Sequence, residues 1–325
     1  MTPNSNFAIQ NSLLLFVVGP TASGKTRLAI ELSTRLPAEI VSMDSMQIYR
    51  TLNIGTGKPS PEEQNQARHH LIDIRNADET YSAAQWADDA RKAIEKVRNR
   101  GKTPIVVGGS GFYARALLQP ETLASAPSDL ELRAQMEKQA QEHGTEWLHE
   151  QLRVLDAGGA ERLPIGDTRR IIRAIEVAKS ARKSIDIGQL SSFSSQPSAF
   201  AGQPLVFGLE WPRQLLYRRI ENRIEQMLRD GFMDELQRLV DLNLPHGATA
   251  LQSLGYKQMR PVLEDANRLD ECLELWQRDT RRYAKRQMTW FRHQLPTQWI
   301  EVDDADDVTK TADLIAIEYS KARRS

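Results

Sequence analysis

Residues 13–26 read LLLFVVGPTASGKT, and this stretch decides the fold. The apolar run Leu13–Val18 has the length of a buried strand, and 27–36 have a helical pattern that ends before Pro37. Between them, residues 19–26 match the pattern G-x-x-x-x-G-K-[ST]. In this strand–loop–helix context the pattern is typical of the phosphate-binding loop of nucleotide-binding proteins, ATP-binding ones among them. We therefore predict a P-loop core.

This loop is expected to bind a diphosphate. Its backbone N–H groups point at phosphate oxygens from a helix N-terminus, and the Lys25 side chain adds a positive charge. The hydroxyl of Thr26 can ligate Mg²⁺, the one cofactor that we predict, with Thr26 as its protein ligand. The predicted diphosphate-binding residues are Gly19, Pro20, Thr21, Ala22, Ser23, Gly24, Lys25 and Thr26.

Further strands alternate with helices along the chain. Residues 39–43 form a predicted strand that ends at Asp44, and 104–107 form one that ends in Gly108-Gly109-Ser110-Gly111. A charged amphipathic helix is predicted between them at 83–100, and two later strands at 204–209 and 298–302. This alternation indicates an α/β fold with a parallel sheet and helices on both faces, whose ligands bind at the carboxyl ends of the strands.

The middle of the chain changes character. Helices without strands are predicted at 129–141, 146–155 and 167–183, followed by a serine-rich loop at 191–198. We predict a P-loop NTPase-like core that carries an inserted all-helical domain. The predicted boundaries are 1–119 for the first part of the core, 120–200 for the helical insertion, and 201–325 for the second part with basic C-terminal helices.

The charge of the chain is balanced overall but unevenly placed. Among 325 residues, 43 are basic and 43 acidic, so the net charge gives no sign of a polyanionic partner. Three helical clusters break this balance. They are Arg169, Arg170 and Arg173; Arg219 and Arg223; and Arg278, Arg281, Arg282, Lys285 and Arg286. Each alone is more often a solvated helix face, but beside a phosphate loop they favour a nucleic-acid partner.

Several candidate residues have more than one interpretation. Asp44 stands at a strand end near the predicted phosphates, where it can be a general base, an Mg²⁺ ligand or a turn cap. Lys58 can reach a phosphate, but spacing alone favours a solvated lysine. His69 and His70 suggest a metal, yet adjacent residues on a strand point to opposite faces, so we discount a metal there.

The chain has few features of an exported or membrane protein. Its single cysteine, Cys272, lies in a predicted helix, excludes an intrachain disulfide and fits a reducing compartment. Residues 1–11 carry no lysine or arginine, and the apolar run that follows is too short to span a membrane. We expect a cytoplasmic protein with no membrane partner.

Several runs, in this order, resemble the bacterial-type tRNA dimethylallyltransferases, also called tRNA isopentenyltransferases. The resemblance covers about residues 13 to 300, with two departures. Ser110 stands where the family usually has threonine, and the serine-rich loop at 191–198 is longer than usual. The matching runs are GPTASGKT at 19–26, DSMQIYR at 44–50, IGTGKP at 54–59, HHLID at 69–73, Tyr81-Ser82, VGGSGFY at 107–113, LGYKQ at 254–258 and AKRQMTWFR at 284–292.

The resemblance implies transfer of a dimethylallyl group from dimethylallyl diphosphate to N6 of the adenosine just 3′ of the tRNA anticodon. It implies a prenyltransferase whose partners are the tRNA anticodon stem-loop and dimethylallyl diphosphate, with the helical insertion at 120–200 gripping the anticodon stem. We also predict a monomer that consumes no ATP, because the prenyl diphosphate supplies its own leaving group. The implied catalytic residues are Asp44 as general base, with Thr26, Lys25 and Arg223 at the diphosphate. The implied tRNA-binding residues are Asp44, Ser45, Met46, Gln47, Ser110, Arg133, Arg169, Arg170, Ile171, Ile172, Arg173, Gln252, Ser253, Leu254, Gly255, Tyr256, Lys257, Thr280, Arg281, Arg282, Tyr283, Ala284, Lys285, Arg286 and Gln287.

The sequence leaves two alternative functions open. A small-molecule or nucleoside kinase would use the same loop on ATP, with Arg169 to Arg173 as lid arginines, but it leaves the run at 284–292 unexplained. A non-catalytic P-loop RNA-binding protein would leave Asp44 without a role, so that an alanine there would be silent.

Overall fold

The computed structural model describes residues 13–120, 129–187, 204–245, 247–303 and 308–323, without the side chains of Leu130 and 181–187. The predicted serine-rich loop at 191–198 lies outside these residues. The chain folds into two compact units. One, the core unit, joins Met1–Pro120 with Ser198–Ser325, and the other, the helical unit, is Glu121–Pro197.

The core unit contains a six-stranded sheet in which every neighbouring pair is parallel. The strand order is β3-β2-β4-β1-β5-β6, which confirms the predicted parallel α/β fold. The strands are β1 (Leu15–Val18), β2 (Ala38–Met43), β3 (His69–His70), β4 (Thr103–Gly108), β5 (Leu205–Glu210) and β6 (Thr297–Glu301).

The register of the sheet brings its carboxyl ends together. Val18, the last residue of β1, is paired with Gly108 of β4 and with Gly208 of β5. Met43, the last residue of β2, is also paired with Gly108. A Cβ atom at Gly108 would stand 2.0 Å from the carbonyl oxygen of Met43, so the close approach here requires glycine. The segments that leave β1, β2 and β4 therefore start side by side.

Helices cover the sheet and extend the core unit. They are α1 (Lys25–Arg35), α2 (Pro61–Gln66), α3 (Ala83–Asn99), α4 (Gly111–Leu118), α9 (Arg213–Arg229), α10 (Phe232–Asp241), α11 (Tyr256–Met259), α12 (Leu269–Gln294) and α13 (Val308–Ala322). The helices α2, α4, α10, α11 and α13 were not predicted. Cys272 is buried on α12, which confirms its predicted helical placement. None of the helices that the structure describes is long and apolar enough to cross a bilayer.

The buried apolar side chains of the core unit form separate clusters, one of which packs against the sheet. Leu28 and Leu32 of α1 and Ile315 of α13 pack with Leu15 and Val17 of β1. Residues of α9, α10 and α12 form the second cluster, among them Ile220, Phe232 and Trp276. Since β1 is buried on both faces, its sequence is a continuous apolar run rather than an alternating one.

A buried carboxylate lies near the amino end of β2, away from the strand ends that carry the phosphate loop. Glu39 is 1% exposed, and its oxygens accept hydrogen bonds from Arg100 at 2.5 Å and form an ion pair with Lys102 at 3.1 Å. His70 Nε2 lies 2.7 Å from the same carboxylate, whereas His69 Nδ1 contacts the carbonyl of Ala67. The two histidines thus have different neighbours and structural contacts.

The helical unit is built from α5 (Leu130–His143), α6 (Thr145–Leu155), α7 (Ala157–Glu161) and α8 (Thr168–Ile187). Its core contains Leu148, Leu152, Ile171, Ile172 and Ile175. Ile171 and Ile172 are 0% and 3% exposed, so the implied tRNA contact is wrong for their side chains. The helical period could have shown this, because positions 171, 172 and 175 share one face.

Candidate active site

The phosphate loop connects β1 to α1 through backbone conformations that favour glycine. Gly19 and Gly24 have φ of 151° and 87°, and Ala22 has φ of 62°, which is rare for a residue with a side chain. The helix begins at Lys25, with Gly24 as its N-cap. Nζ of Lys25 donates to the carbonyl of Pro20 at 2.5 Å, so the lysine folds back over the loop. Amide donors and an ammonium group therefore face the same space.

Side chains from distant parts of the chain hold this loop in place. Trp211 Nε1 donates to the carbonyl of Ser23 at 3.0 Å, and Arg219 Nε donates to the carbonyl of Ala22 at 3.0 Å. The guanidinium of Arg219 also lies 4.0 Å from the ring centre of Trp211. The sequence placed Arg219 only in a basic pair with Arg223, and Trp211 was not singled out, because neither residue belongs to a recognisable motif.

A pocket of about 240 Å³ opens beside the loop. Solvent exclusion is the main cause that lowers the pKa of Lys25 to about 7; the positive charge of Arg223 adds to this, and the negative charge of Asp44 opposes it. Burial likewise lowers the pKa of Arg223, again against Asp44. Two partly desolvated cations close together favour a multiply charged anion. The pocket is lined by Ala22, Ser23, Gly24, Lys25, Thr26, Arg27, Gly57, Glu63 and Arg223.

A buried carboxylate shapes the loop that faces Arg223. Glu235 on α10 is 3% exposed, and it accepts backbone N–H bonds from Asn53, Ile54 and Gly55, each at 2.9 Å. It also accepts the hydroxyl proton of Tyr256 at 2.6 Å. Four donors satisfy this carboxylate, so its burial is compensated. Sequence reasoning missed Glu235, because nothing local distinguishes it from a solvated glutamate.

Lys58 stabilises the same loop. Its side chain is 4% exposed, and Nζ donates to the carboxylate of Asp73, to the carbonyl of Tyr49 at 2.7 Å and to Asn53 Oδ1 at 2.7 Å. The prediction of a solvated lysine is therefore wrong. The three acceptors lie at positions 49, 53 and 73, and the spacing of the sequence does not reveal that they meet at one side chain.

Asp44 follows β2 and faces the phosphate loop. Its Oδ1 accepts the backbone N–H of Met46 at 2.8 Å and of Gln47 at 3.3 Å, so the turn-cap interpretation holds. A carboxylate has about four acceptor sites, so this role does not exhaust it. Burial raises the pKa of Tyr113 and of Tyr283, and the charge of Asp44 contributes in both cases. Asp44 thus lies among Lys25, Arg223 and two neutral tyrosines.

The implied tRNA-binding residues next to Asp44 have contacts within the fold. Gln47 Nε2 donates to the carbonyl of Gly57 at 3.2 Å, and Ser42 Oγ donates to Gln47 Oε1 at 3.2 Å. Ser110 is the N-cap of α4, where its Oγ accepts the N–H of Tyr113. Asp44, Ser45, Met46, Gln47 and Ser110 are all partly exposed, so surface remains for a ligand.

The segment 252–257, implied to bind tRNA, contains both exposed and buried side chains. Gln252 and Lys257 are exposed, and Leu254 is partly buried. The Ser253 side chain is buried and donates to the carbonyl of Ala250, and Tyr256 is 1% exposed. Gly255 has φ of 91° and packs against Trp276, where a Cβ atom would stand 2.7 Å from the ring. The implied tRNA contact is therefore wrong for the side chains of Ser253 and Tyr256.

The segment 280–287 also divides along the helical period of α12. Arg282, Lys285 and Arg286 are exposed, and they form what we call the basic stripe. Arg281 is paired with Glu221 of α9 at 2.7 Å, and Thr280 donates to the carbonyl of Trp276. Ala284 is 0% exposed, which excludes a side-chain contact with RNA. Tyr283 is partly buried, and Gln287, 7% exposed, binds Thr21 and Gly109.

The arginines of the helical unit differ in the same way. Arg133 and Arg173 bind the buried carboxylate of Glu176, at 2.8 Å and 3.0 Å. Arg169 and Arg170 are exposed on the first turn of α8, and Arg170 is paired with Asp167 at 2.8 Å. Arg133 and Arg173 therefore bind a buried carboxylate, while the side chains of Arg169 and Arg170 lie on the surface.

The pocket has the chemistry that Mg²⁺ requires alongside a phosphate. Mg²⁺ is usually held by one or two protein oxygens together with substrate phosphates and water. Thr26, partly exposed, lines the pocket together with Glu63. The described residues contain no group of three or more His, Cys, Asp or Glu side chains that could form a protein-only metal site. A metal shared with a diphosphate fits these residues.

The chain is similar in sequence to known proteins over most of its length. A sequence profile of the IPP transferase family matches residues 47–294. The tRNA dimethylallyltransferase of Acetivibrio thermocellus is 41% identical over 297 residues, covering 91% of this chain and 94% of that protein. The tRNA dimethylallyltransferase 2 of Geotalea uraniireducens is 43% identical over 296 residues, covering 90% and 93%.

Solved structures agree. The tRNA isopentenylpyrophosphate transferase of Bacillus halodurans superposes with a TM-score of 0.68 at 33% identity, over 96% of this chain and 98% of that one. A eukaryotic dimethylallyltransferase acting on tRNA gives a TM-score of 0.75 at 25% identity, over 95% of this chain and 79% of that one. The chain belongs to the IPP transferase family, the enzymes that include the tRNA dimethylallyltransferases.

Proposed function

We propose that the chain transfers a dimethylallyl group from dimethylallyl diphosphate to N6 of the adenosine just 3′ of a tRNA anticodon. The observation that carries this proposal is the placement of one carboxylate, Asp44, beside the two cations of the phosphate pocket, Lys25 and Arg223. A base near a diphosphate site suits a reaction in which an amine replaces a diphosphate.

The acceptor chemistry explains the base. The lone pair of an exocyclic adenine amine is delocalised into the ring, which makes N6 a weak nucleophile. As N6 forms a bond to C1 of the prenyl group, it becomes positively charged and acidic, and the carboxylate of Asp44 takes its proton. The Met46 and Gln47 amides hold this carboxylate in place.

The donor chemistry explains the cations. When the bond between C1 and its oxygen breaks, both electrons leave with the diphosphate, whose negative charge grows. Lys25, Arg223 and the loop amides stabilise that charge most in the transition state, which lowers the barrier. Thr26 would hold Mg²⁺ together with the diphosphate, and the metal would supply further positive charge to the leaving group.

The acceptor must reach this site from a folded RNA. An adenine in an anticodon loop leaves its stack at a lower cost than one in a duplex. We assign the RNA backbone to the basic stripe and to Arg169 and Arg170, since exposed arginines and lysines bind phosphates. The buried candidates Ile171, Ile172, Tyr256 and Ala284 are not part of this assignment.

One assay tests the proposal against its alternatives. The protein is incubated with unmodified tRNA and labelled dimethylallyl diphosphate, with ATP alone in a parallel tube. Label in the tRNA without any ADP is the expected result. ADP formed in step with a phosphorylated product would support a kinase, and RNA binding without label transfer would support a non-catalytic RNA-binding protein.

A further inference from the structure

The side chain of Gln287 joins two loops of the candidate active site. It projects from α12, and its Oε1 accepts the backbone N–H of Thr21 at 2.9 Å. Its Nε2 donates to the carbonyl of Gly109 at 3.0 Å. With 7% of its surface exposed, Gln287 has little area left for another partner. One amide group therefore bridges the phosphate loop after β1 and the loop after β4.

Both loops are shaped around this amide. A Cβ atom at Gly109 would stand 2.1 Å from Nε2 of Gln287, so glycine is needed for the approach. Ala22, the residue after Thr21, has φ of 62°, a conformation that surrounding contacts must maintain. The bond to Thr21 lies directly before this strained position. Gln287 is thus placed to keep the phosphate loop in the shape that presents its amides.

The same side chain contacts a neighbour of Asp44. Tyr283, one helical turn earlier, is hydrogen-bonded to Gln287, and the charge of Asp44 contributes to raising the pKa of Tyr283 after burial. Lys285 and Arg286 of the basic stripe directly precede Gln287 in sequence but are exposed. Neighbouring residues of α12 therefore differ in role: Gln287 contacts the loops of the site, whereas Lys285 and Arg286 face solvent.

We infer that Gln287 is a positioning residue for the diphosphate, which holds the phosphate loop through Thr21, and that it is not a tRNA contact. The inference rests on the proposed function, in which the donor's diphosphate occupies this loop. It also removes the N–H of Thr21 from the predicted diphosphate donors, because Gln287 occupies it.

Two variants separate the parts of this role. Gln287→Met keeps the length of the side chain and removes both hydrogen bonds. Gln287→Glu keeps an acceptor for Thr21 but places an ionised oxygen against the carbonyl of Gly109. Lys285→Met, on the exposed side of the same helix, is the matched comparison for RNA binding. Dissociation constants are measured for inorganic pyrophosphate with Mg²⁺ by calorimetry, and for tRNA by filter binding.

We expect Gln287→Met to bind pyrophosphate about tenfold more weakly, from the loss of one or two buried hydrogen bonds. Its tRNA affinity should stay within twofold of wild type. In steady state the KM for dimethylallyl diphosphate should rise more than the KM for tRNA. Lys285→Met should show the opposite pattern, with weaker tRNA binding and unchanged pyrophosphate binding.

The pH dependence of Gln287→Glu gives a second test of the inference. This test can be used even when Gln287→Met does not fold. A protonated carboxyl can again donate to Gly109. The pyrophosphate affinity of this variant, relative to wild type, should therefore recover as the pH falls from 8 to 6, because burial raises a carboxyl pKa.

Weaker tRNA binding with unchanged pyrophosphate binding in either variant would overturn the inference and make Gln287 an RNA contact. Unchanged affinity for both ligands would also overturn it. The proposed function fails in a different way. If wild type binds pyrophosphate and Gln287→Met binds it more weakly, but neither transfers a prenyl group to tRNA, the positioning role stands and the proposed reaction does not.

Discussion

The guanidinium of Arg223 lies against the backbone of Gly57, so closely that a Cβ atom at Gly57 would stand 1.7 Å from Nη2. Nη2 also lies 3.4 Å from the carbonyl of Thr56, to which it donates. Arg223 therefore packs against a loop that Glu235 stabilises by accepting the backbone N–H bonds of Asn53, Ile54 and Gly55. A glycine far away in sequence sets the position of a cation in the phosphate pocket.

Replacing this glycine should weaken donor binding. Gly57→Ala is expected to displace Arg223 and to weaken pyrophosphate binding about tenfold, a typical effect of misplacing one buried charged contact. Gly101→Ala is the matched control, because Gly101 also has a positive φ, 71° against 56°, but nothing within 4 Å of a new Cβ. Both variants should lose stability from backbone strain, by about 1 kcal/mol. Equal pyrophosphate affinity in the two variants would contradict this role of Gly57.

Asp44→Asn separates the base from the turn cap. Asparagine keeps an Oδ1 acceptor for Met46 and Gln47, so the melting temperature and the tRNA affinity should stay near those of wild type. The single-turnover rate should fall by about 10² to 10⁴, the usual effect of removing a general base. Asp44→Ala removes both functions and should lower the melting temperature as well. A near-wild-type rate for Asp44→Asn, or a rate restored by added Mg²⁺, would exclude the general-base role.

Donor binding should depend on pH through Lys25. Because its pKa in the free protein is lowered to about 7, Lys25 loses its charge as the pH rises above 7, and a bound anion raises the pKa again. The affinity for pyrophosphate should then fall by up to about tenfold per pH unit above 7. Lys25→Arg keeps its charge across this range, so the ratio of the two dissociation constants cancels the titration of the ligand. A ratio that is constant between pH 6 and 9 would contradict the prediction.

The basic stripe should carry part of the salt dependence of tRNA binding. Lys285→Ala combined with Arg286→Ala is expected to flatten the slope of log K against log salt, by about 0.7 for each lost contact to single-stranded RNA. Arg281→Ala should change the slope less, since Arg281 is paired with Glu221 at 2.7 Å. Pyrophosphate affinity should not change in the double variant. An unchanged salt slope would show that Lys285 and Arg286 are only a solvated face.

Acid stability should depend on Glu39. Burial alone would raise its pKa, but hydrogen bonds from Arg100, His70 and Lys102 outweigh that effect and lower it from 4.5 to about 2. A lowered carboxyl pKa adds stability above the unfolded value of 4.5, and this stability is lost as the pH falls towards 2. The shift corresponds to at most about 3 kcal/mol.

Urea denaturation of wild type and Glu39→Gln checks this. The variant should be less stable at pH 7, and the difference should shrink below pH 4.5. Glu95→Gln, an exposed position on α3, is the control and should leave the curve unchanged. A difference that stays constant from pH 7 to 3 would show that the charge of Glu39 does not matter.

Most of the architecture could be predicted from local patterns. The run at 13–26 predicts the strand, the phosphate loop and the helix, and the structure has them at Leu15–Val18 and Lys25–Arg35. The strands at 38–43, 103–108, 205–210 and 297–301 all match a predicted strand. Apolar runs and glycine turns are local signals, and a parallel sheet necessarily gathers its carboxyl ends on one side. The approach of Asp44 to the loop follows from that rule.

What the sequence by itself determined is therefore the fold class, the family and the loops that meet at the site. Only the tertiary structure decided what each side chain does there. Gln287, Glu235 and Arg281 each bind partners far away in sequence, and Lys58 binds Asp73, 15 residues along the chain. A motif records which residue types occur together. The burial of a side chain and its hydrogen-bond partners depend on which distant segments pack against it. A buried polar group is stable only when those segments provide it with hydrogen-bond partners.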